Sequence, residues 1–132
     1  MRFVNKVLVI TGASSGVGRS TSLMAAGEGG KVYAFARRKE KLEALAEEAK
    51  SSGCKGEIIP VPGDVSKQED VDRLFEKVKS ENDKLDVLIA NAGIMDKFEP
   101  VTHCEEETFD RIFEVNVKGS FRLFKAARSE ER

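Results

Sequence analysis

The chain has 132 residues, 22 basic and 23 acidic, for a net charge of −1. That balance removes any global electrostatic case for a nucleic-acid partner or an anionic membrane, and no apolar run approaches the ~20 residues of a spanning helix. Two distant cysteines, Cys54 and Cys104, form no CxxC pair, and the start Met-Arg-Phe-Val-Asn-Lys leads straight into an apolar run, which reads as no export signal; reduced thiols and a cytoplasmic setting are expected.

Short apolar runs alternate with amphipathic stretches. Residues 6–10 are the first strand, whose unbroken run Val7-Leu-Val-Ile10 suits burial on both faces. The chain turns through Gly12, Ser14, Ser15 and Gly16 into helix 17–28, and Gly29-Gly30 suit its C-terminal cap. Strand 31–36 precedes helix 39–51, which has Leu42, Leu45, Ala46 and Ala49 on one face and Gly53 beyond its end. Strand 57–61 closes at Pro60-Val-Pro-Gly63. Helix 67–79 repeats Val71, Leu74, Phe75 and Val78 at helical spacing, and Ser66 with Glu69 reads as a capping box. Strand 85–90 is the fourth. After a loop around Pro100, residues 105–128 read as one long helix with Phe109, Ile112, Phe113, Val117, Phe121 and Phe124 as its apolar set. Gly119 within it reads as a place where another backbone packs close. The alternation, with crossovers long enough for parallel strands, predicts a three-layer α/β fold in one domain over residues 1–132.

A buried strand, a glycine-rich turn and a helix start together make an anion cradle. The glycines let backbone approach the ligand, and the first helical N–H groups point at it. Three later strand ends carry small or polar residues at the same edge of the sheet: Ala36-Arg37-Arg38, Gly63-Asp64-Val65 and Asn91-Ala92-Gly93. After strand two a dinucleotide fold reads the adenosine ribose; an acid there suits NAD, whereas arginines suit the 2′-phosphate of NADP. Competing readings stand beside these: a solvated helix start for Arg38 above all, a turn residue before Ser66 for Asp64, a backbone bond at a helix kink for Asn116. His103-Cys104 lacks a third catalytic group and reads as ordinary loop, and one histidine with two scattered cysteines gives no metal site.

Thr11-Gly-Ala-Ser-Ser-Gly-Val-Gly18, Asp64-Val65, Asn91-Ala-Gly93 and Asn116-Val-Lys-Gly119 resemble, in order, the signatures of the short-chain dehydrogenase/reductases, over the chain from Lys6 to about Ala127. The resemblance implies a Rossmann-type doubly wound sheet of strand order 3-2-1-4 and an NADP(H) cofactor, with NAD the lesser expectation. Gly12, Gly16 and Gly18 would shape the pyrophosphate turn, with contacts from Ser14, Ser15 and Val17. Arg37, with Arg38, would hold the 2′-phosphate. Asp64 would meet the adenine amino group beside Val65. Asn91, Ala92 and Gly93 would lie against the ribose on the nicotinamide side, and Asn116 would match the family's catalytic helix asparagine. Ala90 stands where the family often has a second asparagine.

The family's chemistry also needs a serine and a Tyr-x-x-x-Lys pair. The only tyrosine is Tyr33, with Arg37 four residues on, and it reads as a strand residue. The chain therefore reads as the cofactor-binding part of an oxidoreductase, inactive alone, with a non-catalytic nucleotide-binding or scaffold module as the alternative. A separate chain supplying the missing groups is a third reading. Without a fifth strand, strand four and the 105–128 helix are expected to drive self-association.

Overall fold

The computed structural model describes residues 1–95 and 98–130. Its four strands are all parallel: β1 (Val7–Thr11), β2 (Lys31–Ala36), β3 (Glu57–Pro62) and β4 (Val87–Ile89), in spatial order β3-β2-β1-β4. The helices are α1 (Gly16–Gly27), α2 (Lys39–Ser51), α3 (Gln68–Glu81), α4 (Glu106–Phe113) and α5 (Gly119–Glu130). The expected α/β fold and strand order are both present; β4 pairs over fewer residues than 85–90.

Unbroken apolar runs are needed because each strand feeds two cores. Leu8, Ile10, Val32, Ala34 and Ala36 point to one side, where Ala25, Ala26, Leu42, Leu45 and Ala49 of α1 and α2 cover them. Val7, Val9, Tyr33, Phe35 and Val61 point to the other, against Val71, Leu74, Phe75 and Val78 of α3 and Leu123 of α5. A parallel sheet with helices on both faces leaves no solvated side for polar residues. Helix ends are placed by short signals. Past α1, Gly30 N–H donates to the Ala25 carbonyl at 2.9 Å and Gly29 N–H to Ala26 at 3.0 Å, the paired bonds of a Schellman motif. Past α2, Cys54 and Gly53 do the same toward Ala49 and Lys50.

Three expectations are corrected. Ser66 does not cap α3: the cap position is Lys67, without a side-chain bond, and the Ser66 hydroxyl instead donates to Asp64 Oδ1 at 2.7 Å. The hydroxyl is held in the local Asp64 turn, a common alternative to capping for a serine beside a carboxylate. The stretch 105–128 is not one α-helix, because Glu114–Lys118 winds as a π turn between α4 and α5. One extra residue in a turn rotates the following face by ~100°. The apolar set read at a single helical period falls largely outward on both sides of the turn: Phe109 is 53% exposed and Phe113 48% before it, Phe121 62% and Phe124 57% after it, where Leu123 is the buried residue. Gly119 makes room for a side chain and not for backbone, since a Cβ there would stand 2.8 Å from Val65 Cγ2.

Tyr33 is fully buried in β2. Its hydroxyl donates to Glu81 Oε1 at 2.7 Å and accepts from Asn82 Nδ2 at 2.8 Å. Burial first, then the Glu81 acceptor, push the phenol up to about 12, against a smaller opposing effect of Asn82. The folded chain thus holds this proton more tightly than the unfolded chain, whose phenol titrates near ~10. The stabilisation is complete below that value and is lost as pH climbs toward about 12. Tyr33→Phe should cost about 1 kcal/mol in neutral urea unfolding. Its stability should then fall less steeply than wild type between about pH 10 and 12.

Candidate cofactor cleft

The C-terminal ends of all four strands open onto one cleft of about 240 Å³. Gly12, Ser14, Ser15, Arg37, Arg38, Asp64, Val65, Asn91, Ala92 and Gly93 line it together. These residues come from four separate segments, and parallel topology alone delivers them to one edge. Gly16, Val17 and Gly18 form the start of α1 beside it, with Val17 73% exposed. Ala36 and Gly63, expected at the same strand ends, also line it, and Phe35, Ile94 and Val115, which the sequence did not point to, complete the lining.

The turn from β1 into α1 is sterically determined. Gly12 has φ +65°, and a Cβ there would stand 3.0 Å from the Ala92 backbone; a Cβ on Gly18 would stand 2.2 Å from the Gly12 carbonyl. α1 has no acidic residue in its first turn and no side-chain cap on its first N–H groups, whereas Glu40 opens α2 and Glu69 and Asp70 open α3. Backbone donors and the helix dipole thus face the turn without a competing carboxylate.

The chain matches the short chain dehydrogenase family over residues 6–130. It belongs to that family. It is 40% identical over 119 residues to an uncharacterized oxidoreductase of Listeria monocytogenes, covering 90% of this chain and 47% of that protein. An alcohol dehydrogenase from the archaeon Thermococcus sibiricus, solved with 5-hydroxy-NADP, superposes with a TM-score of 0.87 at 35% identity, over 95% of this chain and 52% of that one. A 3-ketoacyl-(acyl-carrier-protein) reductase from Brucella melitensis, solved with NADH, superposes with a TM-score of 0.84 at 37% identity, over 92% of this chain and 48% of that one. The chain spans about half the length of these relatives.

Within this short-chain dehydrogenase cleft, each candidate has a definite setting. The guanidinium groups of Arg37 and Arg38 are exposed, and among the described residues neither makes a hydrogen bond or ion pair. Asp64 closes a local turn: its Oδ1 accepts the Ser66 N–H at 2.9 Å as well as the Ser66 hydroxyl. Its own N–H donates to Asp70 Oδ2 at 2.9 Å, and Arg73 ties Asp70 to the Pro62 carbonyl. Burial works to raise the Asp64 carboxyl, but the Ser66 hydrogen bonds and then the charges of Arg37 and Lys67 outweigh it and hold it below its ordinary value. Asn116 sits in the π turn with both amide ends committed. Its Oδ1 accepts the Ile94 N–H and its Nδ2 donates to the Ile94 carbonyl, each at 2.8 Å.

The residue sequence reasoning missed most clearly is Thr11. It is fully buried, and its Oγ1 accepts the N–H groups of Asn91 at 2.9 Å and Ala92 at 3.0 Å. Its signal was a lone hydroxyl ending an otherwise apolar strand, directly before Gly12. Thr11→Val keeps the shape and removes the acceptor for two inward-turned donors. It should destabilise the chain by about 1–3 kcal/mol in urea unfolding, with Thr11→Ser recovering most of the loss.

Proposed function

We propose that this chain binds NADP(H) in the cleft and is the cofactor-binding part of a short-chain oxidoreductase. The observation that carries the reading is the convergence, at one cleft, of a carboxylate-free helix start, two guanidiniums without a hydrogen bond or ion pair among the described residues, and Asp64. The fit is steric as well as chemical. The tight Gly12–Gly18 contact keeps side chains out of the turn, and nothing stands within 4 Å of the position a Cβ would take on Gly16. When bound, the dinucleotide would supply the hydride exchanged with a carbonyl or alcohol in the complete protein.

The chain's own residues bind and orient. Gly12, Gly16 and Gly18 would give the pyrophosphate a backbone cradle with Ser14, Ser15 and Val17. Arg37, assisted by Arg38, would take the 2′-phosphate, which two guanidiniums match better than a bare ribose diol does. With Asp64 Oδ1 given to Ser66, Oδ2 would accept from the adenine amino group beside Val65. Asn91, Ala92 and Gly93 would bound the second ribose. Asn116, bonded to Ile94 through both ends of its amide, would hold the turn beside that ribose in place. The one tyrosine, Tyr33, is not placed to protonate a carbonyl at the cleft: it is buried between α3 and the sheet and bonded to Glu81 and Asn82. Alone, the chain therefore binds nucleotide and turns nothing over.

Two features support self-association. β4 is an edge strand with half-buried Val87, Leu88 and Ile89, and α4 and α5 expose a phenylalanine-rich face. We take the partner to be a second copy. Free Cys54 and Cys104 suit a cytoplasmic setting.

Fluorescence titration should show tighter binding of NADPH than of NADH. Arg37→Asp should weaken NADPH by about tenfold or more and leave NADH nearly unchanged; an unaltered preference would remove Arg37 as the phosphate reader. Assays over a broad carbonyl panel should show no substrate-dependent NADPH oxidation, and robust turnover would overturn the non-catalytic reading. Light scattering should give a mass above that of one chain at high concentration, where a clean monomer would count against association.

A further inference from the structure

One cation reaches both walls of the cleft from outside it. Arg122 lies on α5, its side chain 17% exposed. Its Nη1 donates to the Val65 carbonyl at 3.4 Å, and its Nη2 forms a close ion pair with Glu114 Oε1. Val65 follows Asp64 on the adenine side of the cleft and is itself buried. Glu114 opens the π turn that carries Asn116. Asn116 in turn grips Ile94, next to Gly93 on the opposite side. A continuous path thus runs from the Val65 carbonyl through the guanidinium to Glu114, along one turn to Asn116, and across to Ile94.

The packing beside this path leaves little slack. Gly119 abuts the Val65 side chain, so α5 meets residue 65 at both its side chain and its carbonyl. The Arg122 hydrogen bond, first among several causes, holds the Glu114 carboxyl below its ordinary value, keeping it charged for the pair. A guanidinium can address two acceptors in a fixed plane, which an ammonium cannot do in the same geometry.

We propose that Arg122 is a positioning residue for the nucleotide: its guanidinium locks the adenine-side Asp64-Val65 segment to the π turn bearing Asn116, so that the two ends of the cleft are set together. This rests on the nucleotide reading of the cleft.

Adenosine 2′,5′-bisphosphate, which fills only the adenine half, and NADPH are titrated onto wild type, Arg122→Lys, Arg122→Met and Glu114→Gln. Thermal midpoints are recorded for each protein. Both Arg122 variants should weaken the bisphosphate by about tenfold for Met and at least threefold for Lys. They should also change the emission of bound NADPH, which reports the nicotinamide end that Arg122 does not touch. Glu114→Gln should change that emission with a smaller loss of bisphosphate affinity. If Arg122→Met does not fold, Arg122→Lys and Glu114→Gln carry the comparison. Should Arg122→Lys match wild type, Arg122 acts only as a distant charge and the positioning role is overturned. If wild type binds and all variants behave alike, the positioning role falls while the nucleotide reading stands. A wild type that binds neither ligand overturns both.

Discussion

The Thr11 hydroxyl is the joint on which the cleft depends. A parallel sheet aligns strand ends but does not fix how the chain leaves them. At the end of β1 the chain must turn into α1, and after β4 it must turn across the same opening. Thr11 Oγ1 receives two backbone N–H groups from the second turn while its own backbone leads into Gly12. Gly12 then packs directly on Ala92. Two loops separated by about eighty residues are thereby held in contact, so the glycine turn is seated on its neighbour as well as internally shaped. Buried donors left without an acceptor are costly, which makes this contact hard to exchange for another.

Much of the architecture was legible because the signals were local. Apolar runs of strand length, amphipathic helices and glycines past helix ends each act within a few residues. The parts that were not legible depend on contacts between distant segments or on competition among neighbours. Ser66 and Glu69 have the spacing of a capping box, yet α3 starts one residue later, at a Lys67 cap, and the Ser66 hydroxyl donates to Asp64. No residue type announces a π turn, so the phase change at Glu114–Lys118 could not be read from an apolar pattern that looked continuous. The Arg122–Glu114 pair is eight residues apart, outside the three- and four-residue spacing at which helical ion pairs are usually recognised. Asn116 could be flagged by its motif, but its two-point grip on Ile94 required the folded backbone.

The cleft divides into an electrostatic half and a steric half. At the end of β3, Asp64 is stabilised as a carboxylate by Ser66 and by the nearby positive charge of Arg37. An acid and a base thus coexist there without forming a closed pair, leaving both available to a ligand bearing a donor and an anion. On the other side backbone contact sets the dimensions: a Cβ on Gly12 would come 3.0 Å from the Ala92 backbone. Recognition and spacing are therefore assigned to different strand ends.

The two borders of the sheet are unlike. β3 carries Pro60 and Pro62, two residues apart and so on the same side of the strand. Proline has no hydrogen to offer a neighbouring strand, and such residues belong on edges that are not extended. β4 has no such block. If a second copy pairs as proposed, its β4 would lie in the shared seam and the outward borders would be the proline-bearing β3 strands. Self-association of the proposed kind would then close at a pair.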